Sequence, residues 1–114
     1  MAVTTNSELC LTVKASGTIA ANRFVTPLAA QAGAGVNSLG VTRTAAVAND
    51  YMPVDVLGTV AVEAGGTVAV GDTLKSDANG KAVVWATSGA KIGLALTAGA
   101  SGDLIEVLLI PNVA

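Results

Sequence analysis

The chain reads as short runs of alternating apolar and polar residues, cut by glycine turns. ELCLTVK (8–14) puts Leu9, Leu11 and Val13 on one face and Glu8, Thr12 and Lys14 largely on the other, the period of a strand. After a turn signal at Ser16-Gly17, Thr18–Thr26 is a second, less regular extended segment. Pro27 ends it, because proline has no N–H to give to a ladder. Leu28–Gly35 (LAAQAGAG) alone has helix-favouring composition, but it is too short and too glycine-rich to hold a helix by itself, and one helical turn or a loop are equally open. Val36–Thr44 predicts a strand with Gly40 as a candidate bulge, and Tyr51–Leu57 another, where Pro53 marks an edge or a strand start.

The densest β signal is 58–85, which contains GTVAV twice, at 58–62 and 66–70. Glu63-Ala64-Gly65 between the copies suits a three-residue hairpin with glycine in the left-handed position, so the copies are expected as two matched legs. Gly71-Asp72 is a further turn, and Asp77-Ala78-Asn79-Gly80 predicts a tight turn joining Thr73–Ser76 to Lys81–Trp85. Lys91–Thr97 alternates at Ile92, Leu94 and Leu96; Ala98–Gly102 is a small-residue turn; and Asp103–Ile110 (DLIEVLLI) is the most apolar strand, expected at the centre and stopped by Pro111. The pattern therefore predicts an all-β fold, a small compact β-barrel or β-clip-like domain of about eight short strands with at most one short helix. Residues 1–7 (MAVTTNS) lack periodicity and are expected as a flexible N-terminal arm before a single domain, 8–114.

Composition changes this picture in one respect. Hydrophobic residues make up 52% of the chain but aromatics only 3%, so the apolar content is mostly Ala and Val, more than one small core absorbs. Charged residues are 12%, against about 25% in an ordinary domain. Part of the apolar surface is therefore expected to face outward, as an interface of an obligate assembly. The six Lys and Arg are scattered over a chain of net charge −2, which excludes the clustered cations that nucleic-acid binding requires. The charge-free run 24–42 holds Pro27, Gln31, Asn37 and glycines, which excludes a membrane helix. No secretory signal is visible at the start, and the chain is expected to be cytoplasmic and soluble.

Little catalytic chemistry is available. There is no histidine and one cysteine, Cys10, which removes His-dependent triads, intrachain disulfides and thiolate metal clusters, and Cys10 between two leucines reads as a small hydrophobe. Of the eight carboxylates, Glu63, Asp72, Asp77 and Asp103 lie in or beside predicted turns, where aspartate serves the local backbone. Asp77-x-Asn79-Gly80 lacks the glycine and later glutamate of a calcium loop, and the glycine runs match no phosphate-binding fingerprint. No cofactor, metal or catalytic residue is expected. Trp85 among Val83, Val84 and Ala86 reads as a core or interface anchor.

Two families share parts of the pattern. Val68-x-x-Gly71-Asp72-x-Leu74 followed by Asn79-Gly80-Lys81 is similar to the hairpin of biotinyl and lipoyl carrier domains, but neither Met1 nor Met52 is near Lys75 or Lys81. Residues 54–83, VDVLGTVAVEAGGTVAVGDTLKSDANGKAV, then 91–110, KIGLALTAGASGDLIEVLLI, resemble the capsid decoration, or cement, proteins of tailed bacteriophages. The shared elements are G-x-V-x-V-x-A-G, V-G-D-x-L-x-S-D-x-x-G-K-A, x-G-x-A-L and G-D-x-I-x-V-L-L, with G-V-x-x-T at Gly40–Thr44 in the earlier segment 21–44. The resemblance implies a homotrimer on the outside of an icosahedral head, at threefold and quasi-threefold positions, clamping neighbouring major capsid proteins. It implies capsid contact through the N-terminal arm or strand, here Ala2, Val3, Thr4, Thr5, Asn6, Ser7 and Leu9, while Pro27, Leu28 and Trp85 are candidates for the subunit contact. A β-rich carrier or binding module, or a tail or receptor-binding phage component, are the alternatives.

Overall fold

The alternation at the start of the chain becomes β1 (Asn6–Lys14) of an all-β molecule, and the computed structural model describes residues 6–86 and 88–109. β2 (Arg23–Val25), β3 (Gly40–Thr42), β4 (Tyr51–Glu63), β5 (Thr73–Ser76), β6 (Ala82–Val84), β7 (Gly93–Ala95) and β8 (Leu104–Leu109) follow. They form one sheet in the order β2-β3-β4-β8-β7-β5-β6, with β1 added to β4. Every strand pair is antiparallel. Just past β4, Ala64 bridges Ala82, and the Gly65 N–H donates to the Ala82 carbonyl at 2.8 Å. That contact returns the β6 edge to the end of β4 and nearly closes the sheet into a barrel. There is no helix among the described residues, hence none able to cross a membrane.

The twin GTVAV does not make a hairpin. The first copy is the second half of β4, continuous through Gly58 with the strand predicted at 51–57, so that β4 runs for 13 residues. The second copy makes one bridge, Val68 to Gly99, and then turns. Turn chemistry overrides its strand pattern, because Gly71 is left-handed at φ 91 and the Asp72 carboxylate accepts from the Ala69 N–H. β4 pairs instead with β8, from Thr59–Leu108 to Glu63–Leu104. The extended segments predicted at 18–26 and 36–44 shorten to β2 and β3, while 28–35 is loop, held by Ser76 Oγ donating to the Gly33 carbonyl. Pro53 sits inside β4 opposite Thr12, one residue before the β3 ladder begins at Val54.

The register reveals a duplication. Lys14–Tyr51, Leu11–Val54 and Cys10–Asp55 in the β1–β4 ladder correspond to Glu63–Leu104, Val60–Val107 and Thr59–Leu108 in the β4–β8 ladder. The first member of each pair shifts by 49 residues, as Lys14 to Glu63, and the second by 53, as Tyr51 to Leu104. The same shifts carry Phe24–Val41 to Thr73–Leu94, Val25–Gly40 to Leu74–Gly93, and Val41–Asp55 to Leu94–Leu108. The sequence counterpart is ASGTIAANRFV (15–25) against AGGTVAVGDTL (64–74). β4 serves both repeats: its first half closes the first, and its second half opens the second.

Four similar turns join the repeats' strands. Their third residues have positive φ, as in a type II turn: Asn22 at 60, Asn49 at 75, Gly71 at 91 and Gly102 at 92. In three, the fourth residue is an aspartate whose carboxylate accepts from the first residue's N–H: Asp50 from Val47, Asp72 from Ala69 and Asp103 from Ala100, at 2.9–3.1 Å. Each of these turns clasps a buried alanine by two backbone bonds. Ala15 donates to Asp50 and accepts from Asn49, Ala95 does so with Asp72 and Gly71, and Ala64 with Asp103 and Gly102. The fourth turn has Arg23 in the aspartate's place, and Gln31 Oε1 supplies the missing acceptor to the Ala20 N–H at 3.0 Å.

Each repeat also has its own core at equivalent positions. Ala15, Ile19, Val25, Met52 and Val54 cluster in the first, and Ala64, Val68, Leu74, Ile105 and Val107 in the second. Burial of each of these side chains other than the alanines stabilises the fold by about 1.5–3 kcal/mol. Phe24 and Val41 belong to the first repeat's strands but pack into the second repeat's core, so the two repeats are stacked face to core.

Candidate functional site

Several ionisable side chains serve the architecture. Asp77 Oδ1 accepts from the N–H groups of Asn79 and Lys81 at 2.8 and 2.9 Å, closing the predicted Asn79-Gly80 turn. Asp55 is fully buried and accepts two 2.6 Å bonds from the half-exposed Arg43, a bidentate pair that raises the Arg43 pKa chiefly through the Asp55 hydrogen bond. Glu63 lies between Lys81 Nζ at 3.0 Å and Arg23 at 3.2 Å, and the Lys81 hydrogen bond, aided by Arg23, holds its carboxyl below the ordinary 4.5. Lys75 Nζ donates to the Ser88 carbonyl. Both lysines of the hairpin thus have protein partners. Among the described residues no cluster of His, Cys, Asp or Glu could hold a metal ion. Cys10 is exposed, not the buried small hydrophobe its neighbours suggested.

What remains is surface. Among the described residues β1 pairs only with β4, and of Leu9–Lys14 every residue except Val13 is exposed. Leu9 and Leu11 thus present apolar surface along an outer strand. Of the predicted arm, Ala2, Val3, Thr4 and Thr5 lie outside the described residues, while Asn6 and Ser7 already belong to β1, opposite Thr59 and Gly58. The register of β1 against β4 shifts between Ser7 and Leu9 and again between Leu9 and Cys10, and pairing resumes at Ser7 and Asn6.

The three candidate subunit contacts sit on two separate loops. Pro27 and Leu28 occupy a tight turn after β2, closed by Ala29 N–H to the Thr26 carbonyl, and Leu28 is 83% exposed. Trp85 follows β6; its indole N–H donates to the Gly89 carbonyl, and Lys91 Nζ stands 4.4 Å from the ring centroid. The ring is thereby fixed at its own loop, partly exposed. A larger apolar face lies elsewhere. β8 is central, between β4 and β7, and its Ile105, Val107 and Leu109 point into the core. The alternate residues Leu104 and Leu108 face outward, with the partly exposed Leu94 of β7 paired to Leu108. The sequence signal for that face was the spacing of Leu104 and Leu108 around the buried Glu106, masked because these leucines look no different from the core residues Ile105, Val107 and Leu109.

The architecture is matched by a solved structure, the crystal structure of the head fiber gp8.5 N base in bacteriophage phi29, with a TM-score of 0.72 over 93% of this chain and 97% of that one, at 20% sequence identity. At that identity the likeness shows the fold. No curated protein matches the chain. A family model described as phage cement protein matches residues 3–110, nearly the whole chain, and by that match the chain belongs to the phage cement protein family.

Proposed function

We propose that this protein binds the outer surface of a phage icosahedral capsid as a trimer at threefold and quasi-threefold sites, stabilising the expanded head by clamping neighbouring major capsid proteins. The observation that carries the reading is the cement-family match over residues 3–110. Likeness to the phi29 head fiber base supports a place on the head. The role is structural, in keeping with carboxylates and lysines engaged in turns and ion pairs. Ala2, Val3, Thr4, Thr5, Asn6, Ser7 and Leu9 form the capsid-binding segment, and β1 supports this by offering an outer strand with exposed leucines that leads directly into the arm. Three such segments on one trimer convert weak single contacts into strong ones, since after the first engages the others bind at high effective concentration. Pro27, Leu28 and Trp85 are proposed contributors to the contact between subunits.

The test is deletion of Ala2–Ser7, followed by binding of the purified protein to expanded heads emptied of their own decoration. The expected result is an intact trimer with weakened, salt-insensitive head binding. Full occupancy at wild-type concentrations would remove the arm from the capsid contact, and failure of the intact protein to bind heads would remove the function.

A further inference from the structure

The duplication leaves one of its own contacts half used. Inside the chain, the outer row of the first repeat, Phe24–Val41–Asp55 across β2, β3 and β4, is completely covered, with each residue at most 1% exposed. Phe24 and Val41 pack into the core of the second repeat, next to Val60. The equivalent outer row of the second repeat is Thr73–Leu94–Leu108 across β5, β7 and β8, and it is open: Leu108 is 38% exposed where Asp55 is 0%.

The opposite end of the stack shows the complementary gap. Val60 of the second repeat, in the same buried cluster as Phe24 and Val41, is 1% exposed, whereas its counterpart Leu11 in the first repeat is 39% exposed. The same holds one residue pair after another: Ile92 and Leu109 are buried, while their counterparts Leu39 and Val56 are only partly so. Among the described residues the first repeat's core therefore lacks the covering row that the second repeat's core has, and the second repeat owns such a row with no core of its own chain beneath it.

From this complementarity we infer that a second copy of this chain docks head to tail, its Leu94–Leu108 face covering the Leu11 side of the first repeat in its neighbour. The contact repeats between chains the packing already made within the chain by Phe24 and Val41. It is heterologous, since two different faces meet, and this is the contact a closed ring requires and a twofold dimer does not. The inference rests on the self-assembly in the reading above and names the surfaces that carry it. In this arrangement Leu94 and Leu108 of one copy and Leu11 of the next stand at the centre.

The test uses Leu108→Arg and Leu11→Arg in the full-length protein, with sedimentation velocity across micromolar concentrations and circular dichroism to confirm the fold. Each variant alone should be monomeric. Mixed one to one, they should form a complex of one copy of each, because Leu108→Arg keeps an intact first-repeat side and Leu11→Arg an intact second-repeat face. Should either arginine variant fail to fold, serine at the same position serves the same mixing test. Wild-type-like assembly of both variants, loss of assembly in only one, or no complex on mixing would each overturn the contact. A trimeric wild type that survives both substitutions rejects this contact alone; a monomeric wild type rejects the trimer with it.

Discussion

Gln31→Ala tests the idea that one turn recurs four times in this chain. Gln31 Oε1 accepts the Ala20 N–H at 3.0 Å in a partly buried setting, where the other three turns use Asp50, Asp72 and Asp103. Removing a neutral acceptor of this kind costs about 0.5–1.5 kcal/mol, the upper part of the range when the orphaned N–H is shielded from water. The three aspartate bonds are exposed, so Asp→Ala at each should cost about 1 kcal/mol despite the charge. Gln31→Ala should therefore match the aspartate variants, although Gln31 is far from the turn in sequence and carries no charge. Urea unfolding of the four single variants measures this, with each midpoint falling at an unchanged slope, since a local bond alters stability without altering the surface exposed on unfolding. At about 1 kcal/mol, the melting temperature should drop by roughly 4 °C for a chain of this size. If Gln31→Ala unfolds with the wild type while the aspartate variants do not, the equivalence of the fourth turn is wrong.

Two further outcomes follow from the same geometry. A Cβ at Gly40 would run into the Asp55 carbonyl oxygen, a rigid backbone atom, whereas at the equivalent Gly93 it would meet Val107 Cγ1 at 2.5 Å, a side chain. Gly40→Ala should thus destabilise by about 3 kcal/mol or more and Gly93→Ala by about 1–3 kcal/mol, and calorimetry showing the reverse order would contradict the register that equates them. Glu63 is held below its ordinary 4.5 by Lys81 and Arg23, so its stabilisation is complete above that value and is lost as pH falls through the lower folded value. Glu63→Gln should be less stable than wild type at pH 7, with the gap closing on acidification; a gap that stays constant to pH 3 would mean the ion pairs contribute nothing.

The sequence made some of this legible and hid the rest for identifiable reasons. Asp72, Asp77 and Asp103 were readable as turn residues because aspartate beside a left-handed glycine has a local use, and all three carboxylates accept local backbone N–H groups. Glu63 looked equally local, but its partners Arg23 and Lys81 come from the other repeat and the far edge of the sheet, a tertiary fact with no local trace. GTVAV was the conspicuous repeat and the wrong one, since its two copies fall in one repeat at different phases. The real duplication keeps only A-x-G-T and an apolar residue between 15–19 and 64–68. Its later half is offset by the β5–β6 hairpin, whose place in the first repeat is taken by a single bridge from Val25 to Gln31. The exposed face of β8 was hidden for a simpler reason. Leu104 and Leu108 look no different from the inward Ile105, Val107 and Leu109, and the strand's one polar residue, Glu106, is itself buried, so the pattern carries no contrast.

β4 remains to be considered as a mechanical part. Because one uninterrupted strand of 13 residues is shared by both repeats, there is no linker between them and no joint at which they could swing. The angle between the surfaces they carry is set when the strand forms. A partner that touches both repeats meets a template already cut to shape and loses little freedom on binding, so its affinity depends on the spacing of its own parts. Such a strand makes the molecule a gauge: any surface that touches both repeats has to match their fixed spacing.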